Sequence, residues 1–248
     1  HKRYKTDNLC LSGGVALNSV MNGKILKNTP FKKLFIPPDP GDGGGAMGAA
    51  LWASTTRPKS FTPFLGPSFP DEQMEDVLVR HGLSYTRLDR DVLIDNVADL
   101  LSQEKIIGWF QGRMEWGPRA LGNRRIFASA ARIEMRDIIN SKVKHRELFR
   151  PFAPVVLAQH VKEYFVTDFP VPVSAKFMLF VYPFRTKGKR EVPAVVHVDG
   201  TGRLQTLERV DNPLYYDLIE AYAKKTSVPI IINTSFNVRG EPIVCTPQ

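Results

Sequence analysis

Short apolar segments of strand length alternate with amphipathic helical patterns, and this alternation restricts the fold more than any other feature of the sequence. Strands are predicted at residues 8–11, 34–36, 106–110, 126–131, 155–158, 176–183, 194–198 and 228–232. Helices are predicted at residues 15–26, 46–52, 71–81, 91–103, 134–143 and 214–225. Because the two kinds of element are interleaved, the sequence predicts an α/β fold that is mixed in its second part.

A proline-rich stretch divides the chain. Residues 55–70 contain four prolines, which are Pro58, Pro63, Pro67 and Pro70. Such a stretch is typical of a linker. The 248 residues suit one large domain or one domain plus a piece of another. We therefore expect two units, residues 1–58 and residues 59–248.

The composition favours an anionic partner. The net charge is +9, from 34 Lys and Arg against 25 Asp and Glu, and nucleic acid, phosphate and nucleotides all remain candidates. The longest apolar runs, such as residues 177–184, fall far short of the ~20 residues that span a bilayer. No membrane contact and a cytoplasmic setting are therefore expected. The two cysteines, without a Cys/His cluster at zinc spacing, argue against a disulfide framework and a zinc site.

Two glycine-rich turns stand between a strand pattern and a helix pattern in the first unit. One contains Gly13 and Gly14, and the other, residues 41–50, contains Asp42. Glycine lets backbone N–H groups approach phosphate oxygens, and a helix N-terminus adds positive potential. Either sequence alone is more often a plain turn, but the pair favours a nucleotide site. Asp42 is then a candidate metal ligand, with a simple helix cap as the alternative.

Basic residues are concentrated between residues 113 and 150. They are Arg113, Arg119, Arg124, Arg125, Arg132, Arg136, Arg146, Arg150, Lys142 and Lys144. Guanidinium groups hold phosphate and carboxylate oxygens in bidentate geometry. Glycine, proline and the aromatic rings of Trp116, Phe149 and Phe152 lie among these charges, which is uncommon in a solvated basic face. The stretch therefore predicts a phosphate site, with a solvated face as the alternative.

Two polar segments follow apolar strand patterns in the last third of the sequence. Residues 197–206 include His197 and Arg203, and residues 233–242 include further Asn and Ser side chains. Ligands gather where strands end in open α/β sheets, so these side chains are candidates to orient a phosphate or a small amide. His197 is more simply explained as a satisfied strand histidine than as a base. The Asn and Ser side chains could instead cap the strand end.

Six motifs in order resemble the O-carbamoyltransferase family, which includes antibiotic-tailoring enzymes and nodulation proteins. They read GGVALN, GDGGGAMGAA, GRMEWGPRALGNR, KHRELFRPFAP, HVDGTGR and NTSFN-x-x-GEPIV. The resemblance covers nearly the whole chain. It implies the C-terminal remnant of a Kae-like domain of the actin-type ATPase class, followed by a YrdC-like mixed α/β domain.

The resemblance also implies a reaction and its residues. In the family, carbamoyl phosphate and ATP give carbamoyl adenylate at the YrdC-like site, and the Kae-like site transfers the carbamoyl group to an acceptor hydroxyl of a sugar, oligosaccharide or antibiotic. The residues implied in activation are Arg119, Lys144, Arg150 and Arg203. Those implied in substrate binding are Arg113, Asn233, Ser235 and Asn237. Those implied in nucleotide binding in the first unit are Gly13, Gly14 and Asn18.

The cofactors that the resemblance implies are ATP, with Mg²⁺ accompanying it, and Fe²⁺ bound in part by Asp42. No His-x-x-x-His pair precedes Asp42, because only His1 lies upstream. By the family pattern the chain begins inside the first domain, so we expect a fragment in which activation is the half that can be retained. Metal binding and carbamoyl transfer would then depend on the missing part.

Two other functions remain open. One is an RNA-binding module, which is disfavoured because Gly and Pro interrupt the arginines and because Glu115 and Glu147 are expected to pair with them. The other is a YrdC-like enzyme that forms threonylcarbamoyl adenylate for tRNA modification. It is disfavoured by the actin-like remnant and by the wording of both arginine motifs.

Overall fold

The structure, a computed structural model, describes residues 1, 3–56, 61–167 and 170–248. Two parallel strands, β1 (Asn8–Cys10) and β2 (Lys33–Phe35), form a small sheet early in the chain. Two helices accompany this sheet, α1 (Ser19–Asn28) and α2 (Gly44–Ala53). Among the helices of the described residues, none has the length and apolar composition that crossing a membrane would require.

The remaining elements follow in chain order. The strands are β3 (Ile107–Phe110), β4 (Arg124–Ser129), β5 (Ala153–Leu157), β6 (Phe180–Pro183), β7 (Thr201–Leu207) and β8 (Ile230–Ser235). The helices are α3 (Asp71–Arg80), α4 (Arg90–Ser102), α5 (Glu134–Ile138), α6 (Val161–Tyr164), α7 (Thr186–Glu191) and α8 (Pro213–Thr226). A π-helical turn, Ile139–Val143, continues α5.

Within the described residues, these later strands form one mixed sheet, called the main sheet below, in the order β3-β4-β8-β5-β7-β6. Neighbouring strands are antiparallel except β5 and β7, which are parallel. Helices are interleaved with these strands along the chain. The mixed α/β class predicted from the sequence is therefore confirmed.

Helix α8 packs against one face of the main sheet. Tyr215 stacks on Phe127 of β4 with ring centroids 4.8 Å apart, and the Tyr222 hydroxyl lies 2.8 Å from Ser129 Oγ. Because Phe127 and Ser129 are two residues apart in a strand, they point to the same face. Helix α4 packs against α8 and also contacts β3 and β4. The two helices thus cover the apolar end of this face.

Helix α1 packs against β6, the strand at one edge of the main sheet. The buried Asn22 side chain donates to the Leu179 carbonyl oxygen at 3.0 Å. Gly23 lies so close to β6 that an added Cβ would be 2.1 Å from the Val181 carbonyl oxygen. The first unit is therefore fixed to the main sheet at a site that requires glycine.

Part of the predicted linker is hydrogen-bonded to residues 112–125, a segment that carries several of the arginines. The Gly66 N–H donates to the Met114 carbonyl oxygen at 2.9 Å, and the Trp116 N–H donates to the Pro63 carbonyl oxygen at 2.7 Å. Residues 61–70 are therefore not a free linker. The boundary predicted after residue 58 lies outside the described residues and stays a prediction.

The helix predicted at residues 15–26 is divided at Asn18. Gly14–Leu17 forms a 3₁₀ turn, and the Asn18 side chain then accepts a hydrogen bond from the Met21 N–H at 3.0 Å. A short polar side chain in this position satisfies an N–H group that the helix cannot. Helix α1 therefore begins after Asn18.

The strand predicted at residues 194–198 is wrong. Pro193–Val195 forms a 3₁₀ turn, and a tight turn follows in which the Gly200 N–H donates to the His197 carbonyl oxygen at 2.9 Å. Proline lacks the N–H that a central strand needs. The strand forms instead as β7, which the sequence analysis did not predict; it also missed α6 and α7.

Two other predicted elements change partway along. The strand predicted at residues 176–183 is reduced to β6, because Val173–Phe177 forms a 3₁₀ turn that ends at Met178 with a left-handed φ of 58°. The helix predicted at residues 134–143 changes from α to π geometry after Ile138.

The Asn22→Ala substitution should lower the free energy of unfolding by about 1–3 kcal/mol. The side chain donates to the carbonyl oxygens of Ala16 at 2.7 Å and Leu179 at 3.0 Å, and both would lose this buried partner. Urea unfolding measures the change. Asn28→Ala, at the exposed end of α1, is the matched control and should change stability by less than about 0.5 kcal/mol. An unchanged stability of the Asn22 variant would contradict this packing of α1.

Candidate anion-binding site

Polar side chains from neighbouring strands meet on one face of the main sheet. In the strand register, Arg125 is opposite Ser235, and Val155 is opposite Gln205. Opposite residues share a face, and so do residues two apart in a strand. Arg125, Ser235, Asn233 and Gln205 therefore lie on the face that α8 covers farther along. The sequence had suggested that Asn233 and Ser235 follow the strand, but both belong to β8 itself.

Three of these side chains, Arg125, Asn233 and Ser235, border a cleft with two adjoining lobes. The inner lobe has a volume of about 200 Å³, and its polar lining residues are Arg119, Arg125, Arg146, Arg203, Asn233, Thr234 and Ser235. The outer lobe has a volume of about 230 Å³, and its polar lining residues are Lys144, Arg146, Glu147, Arg150, Ser235, Asn237 and Arg239. Arg146 and Ser235 line both lobes. The cleft therefore has a strongly positive wall throughout.

Among the described residues, none of the four inner-lobe arginines has a carboxylate partner. Arg125 contacts only neutral atoms, Gln205 Oε1 at 3.4 Å and Met178 Sδ at 3.7 Å. Arg146 donates to Asn140 Oδ1 at 2.7 Å. The Nε atoms of Arg119, Arg125 and Arg203 are buried without a hydrogen-bond partner. Arg125 is buried and the other three arginines are half-buried. Because such cations rarely lack counter-ions in proteins, the inner lobe is suited to an anion.

Burial and mutual repulsion weaken the affinity of these arginines for protons. Burial lowers the pKa of Arg203 to about 10, and the charges of Arg119, Arg125 and Arg146 lower it further in the same direction. Burial also lowers the pKa of Arg125 to about 10, although the negative charge of Glu115 opposes the shift. Both groups stay charged at neutral pH. The inner lobe thus concentrates positive charge where solvent screens it poorly.

A single carboxylate shapes the loop that carries Arg119. Glu115 Oε1 accepts hydrogen bonds from the N–H groups of Leu121 at 2.6 Å, Gly122 at 2.7 Å and Asn123 at 2.7 Å. Gly122 has a φ of 149°, and a Cβ there would be 2.8 Å from the Tyr215 ring. Glu115 therefore holds backbone amides, whereas the sequence suggested that it would pair with an arginine. Glu147 does form such a pair, with Arg150 at 2.9 Å.

Arg124 and Arg125 are adjacent but have different surroundings. Strand geometry turns them to opposite faces. The Arg124 guanidinium donates to the carbonyl oxygens of Gln111 at 2.6 Å and Asn123 at 2.9 Å, and it stacks 3.6 Å above the Phe110 ring. Arg124 is therefore a buried scaffold residue, and Arg125 is the one that faces the inner lobe.

Lys144 connects the π-helical turn to the end of β8. Its Nζ donates to the carbonyl oxygens of Ser235 at 2.5 Å and Asn237 at 2.8 Å, and to Asn237 Oδ1 at 2.9 Å. Burial lowers its pKa to about 8, and the charges of Arg146 and Arg125 act in the same direction. Lys144 thus fixes the outer wall of the cleft while contributing positive charge to it.

The cleft brings together most, but not all, of the residues that the sequence had suggested for activation and substrate binding. Those that line it are Arg119, Lys144, Arg150, Arg203, Asn233, Ser235 and Asn237. Arg113 lies outside the lining and donates to the Leu65 carbonyl oxygen at 2.9 Å. Arg125 and Arg146, which belong to the basic stretch predicted to bind phosphate, also line the inner lobe. Gln205 was not suggested as a site residue; it lies beside the lining and accepts a hydrogen bond from Arg125 at 3.4 Å. Its spacing of two from Arg203 could have indicated that both side chains share one face of the strand.

The suggested residues of the first unit lie elsewhere. The Gly13 N–H donates to the Pro40 carbonyl oxygen at 2.6 Å, which joins the two glycine-rich turns. The Asn18 side chain caps α1, and Asp42 is exposed in the second turn. The described residues contain no group of three His, Cys, Asp or Glu side chains that could hold a metal ion. Asp42 therefore belongs to no such group, and these residues by themselves do not form the expected iron site.

Comparison with known families gives two matches. The family model described as "Carbamoyltransferase C-terminus" matches residues 98–248, and the one described as "Carbamoyltransferase N-terminus" matches residues 1–51. Together they include every residue of the cleft and both glycine-rich turns.

Curated relatives match nearly the whole chain but are much longer. An uncharacterised protein of Synechocystis is 40% identical over 98% of this chain and 44% of its own length. The nodulation protein NolO of Bradyrhizobium diazoefficiens is 42% identical over 95% of this chain and 44% of its own length. The nodulation protein U of Rhizobium fredii is 35% identical over 94% of this chain and 38% of its own length. The chain thus spans less than half of each.

One solved structure shows a weaker likeness. It is titled "Crystal structure of full-length HypF in the phosphate- and nucleotide-bound form" and aligns with a TM-score of 0.41 and 21% identity over 60% of this chain and 21% of its own. This similarity is too low to support an argument about the fold or the site.

Arg124→Met and Arg125→Met should have opposite effects. Loss of Arg124 leaves buried carbonyl oxygens unpaired and should lower the free energy of unfolding by about 2–3 kcal/mol, with the affinity for inorganic phosphate changed less than about threefold. Loss of Arg125 removes an unpaired buried charge, so stability should stay equal or rise, while phosphate affinity falls about tenfold or more. Urea unfolding and calorimetric titration measure the two quantities. The reverse pattern would contradict the assigned faces.

Sulfate affinity should fall as the pH rises through about 8, the pKa of Lys144. Below that pH the ammonium group is charged and attracts the anion, and above it the charge and the attraction are lost. Sulfate is a suitable probe because it keeps its charge over this range. In Lys144→Met the sulfate affinity should be lower at pH 7 and should not change between pH 7 and pH 9. A pH dependence that persists in this variant would assign the titration to another group.

Proposed function

Because the chain belongs to the carbamoyltransferase family, as its six motifs predicted, we propose that its cleft activates a carbamoyl group. The substrates are carbamoyl phosphate and ATP, and the product is carbamoyl adenylate, from which the carbamoyl group passes to an acceptor hydroxyl. One observation carries this proposal: four arginines that have no carboxylate partner among the described residues converge on a cavity of about 200 Å³. An anionic, phosphate-bearing ligand supplies the missing counter-charge.

The proposed reaction has two steps. Water hydrolyses carbamoyl phosphate to carbamate and inorganic phosphate, and a carbamate oxygen then attacks the α-phosphorus of ATP. The bond to the β-phosphate bridging oxygen breaks, and diphosphate leaves. Negative charge shifts among phosphate oxygens in both steps. Fixed cationic donors aimed at such oxygens stabilise the transition state, and one such donor contributes about 3–4 kcal/mol.

The two lobes suit different parts of the substrates. The inner lobe combines the arginine cluster with the Asn233 amide, which matches a small molecule that has a phosphate at one end and an amide at the other. The outer lobe is open and basic, with Lys144, Arg150 and Arg239 in its wall, and it suits the polyphosphate of ATP.

The first unit is proposed to contribute to transfer. We assign it to a Kae-like domain of the actin-type ATPase class and the second unit to a YrdC-like domain. Gly13 and Gly14 then approach a nucleotide through backbone N–H groups, and the Asn18 cap holds the following helix in position. Asp42 is the proposed contributor to an Fe²⁺ site, but the described residues do not form such a site. No chemical step is therefore assigned to iron.

The buried position of the arginines weighs against the two alternatives unequally. Single-stranded RNA needs an exposed basic track with stacking platforms, whereas Arg125 is only 2% exposed and borders a small cavity. Formation of threonylcarbamoyl adenylate uses a similar phosphate chemistry, so the arginine cluster alone does not disfavour it. The two activities differ in their substrates, carbamoyl phosphate for one and threonine with bicarbonate for the other, and an assay can separate them on that basis.

Diphosphate release from ATP should depend on carbamoyl phosphate, and mass spectrometry should detect carbamoyl adenylate. Arg119→Met should reduce this release at least about a hundredfold, by removing one fixed donor. Arg190→Met is the matched control, because Arg190 is exposed and pairs with Glu191 at 2.9 Å, and it should retain normal release.

Three outcomes would count against the proposal. Normal release by the Arg119 variant would remove Arg119 from the site. Release that requires threonine and bicarbonate, and not carbamoyl phosphate, would favour the threonylcarbamoyl activity. A folded chain that binds no phosphate compound, but binds RNA with strong salt dependence, would favour the nucleic-acid function.

A further inference from the structure

The inner lobe contains one buried hydrogen-bond acceptor without a partner. Asn233 is 2% exposed, lines the inner lobe, and its Oδ1 atom has no hydrogen-bond donor among the described residues. A buried acceptor left without a donor is destabilising, and most such groups in native proteins are satisfied. Asn233 lines the ligand-sized inner lobe, so a ligand bound there is the candidate source of the donor.

Gln205 determines which end of the Asn233 amide faces the lobe. Gln205 Nε2 donates to the Leu121 carbonyl oxygen at 2.7 Å, so Gln205 Oε1 points the other way. Arg125, which can only donate, approaches Oε1 at 3.4 Å and supports this orientation. Asn233 Nδ2 donates to the same Oε1 atom. The Asn233 amide nitrogen therefore points into the protein, and its oxygen points away from Gln205.

The orientation of the Gln205 amide depends on the loop whose backbone N–H groups Glu115 binds. The Leu121 N–H donates to Glu115 Oε1 at 2.6 Å, which fixes the Leu121 peptide group. The carbonyl oxygen of Leu121 is thereby positioned to receive Gln205. A turned Gln205 amide would bring its oxygen against this carbonyl and its nitrogen against Arg125. Both contacts are repulsive, so one orientation is strongly preferred.

We infer that Gln205 is a positioning residue that makes the inner lobe selective for an amide over a methyl group beside the phosphate. This inference rests on the proposed function and names how its substrate is chosen. A carbamoyl NH₂ donates to Asn233 Oδ1. An acetyl group of almost the same size has no donor, and it leaves that buried oxygen unpaired. The arginines bind the phosphate of both compounds, so they do not distinguish them.

Two hydrolysis-resistant compounds test this selectivity: phosphonoacetamide, which has the amide, and acetonylphosphonate, which has a methyl ketone. The complete 248-residue chain should bind phosphonoacetamide about 10- to 100-fold more tightly. Inorganic phosphate serves as the common reference ligand. Isothermal titration calorimetry gives the three affinities under one condition.

Asn233→Leu and Gln205→Met should reduce the preference to less than about threefold, and the affinity for inorganic phosphate is measured in each variant as the reference. Leucine has nearly the shape of asparagine but no acceptor. In Gln205→Met, the Asn233 amide is free to turn. The double variant Gln205→Met/Asn233→Asp should recover the preference, because a carboxylate has an acceptor oxygen on both sides. A merely structural role of Gln205 predicts no such recovery.

The outcomes separate this inference from the proposed function. Equal affinity of the unmodified chain for both compounds, with phosphate still bound, would overturn the inference and leave the proposed function standing. A full preference in Gln205→Met would remove the positioning role. Failure to bind any of the three anions would instead overturn the proposed function. If Gln205→Met does not fold, Asn233→Leu alone decides whether the acceptor selects the amide.

Discussion

The cleft depends on one buried carboxylate oxygen that binds three consecutive backbone amides. Glu115 Oε1 fixes the peptide groups of residues 121–123, and the consequences extend across the main sheet. The Leu121 carbonyl oxygen receives Gln205 of β7. The Asn123 side chain joins a polar network with Gln111 and Asn212, the cap of α8. Strands β4 and β7 and helix α8 are thus connected through a loop whose conformation Glu115 imposes.

The same carboxylate also moderates an unfavourable charge distribution. Burial, and to a smaller extent the repulsion between neighbouring positive groups, lowers the pKa values of Arg203 and Lys144. Proteins tolerate such arrangements at functional sites and compensate for them elsewhere. Here the compensation comes from the Glu115 charge and from a well-packed core beneath the cleft. An anion that enters the inner lobe removes much of the remaining repulsion, so binding and stability are linked.

Much of the fold and part of the site could be predicted from the sequence, and the errors have physical causes. Apolar periodicity predicted most strands and both long helices of the second unit, but it cannot identify where a proline or an asparagine cap ends or starts an element, as at Asn18 and Pro193. The positions of the arginines along the sequence indicated the site. They could not distinguish Arg124 from Arg125, because two adjacent identical residues differ only by the face to which the strand turns them.

Long-range contacts set the rest. Gln205 lies in a segment that was interpreted as a loop after a strand, and its role becomes visible only when β7 lies beside β5. Arg113 resembles its neighbours in sequence, yet its side chain binds a backbone carbonyl outside the cleft. The glycine-rich turns do not line the cleft, although Pro38 and Asp39 pack against Gly117, two residues before Arg119.

The arrangement of the cleft on strand registers limits how this protein can evolve. Strand alternation puts the Asn233 and Ser235 side chains on one face of β8 and those of Ile232 and Thr234 on the other, although Thr234 also borders the inner lobe. Deletion or insertion of one residue within β8 would exchange the two sets, burying polar groups without partners and lining the cleft with apolar ones. Changes of residue type at the rim are tolerated far more easily. The specificity of the site can therefore diversify by substitution, whereas the lengths of the strands that form it are under strict constraint.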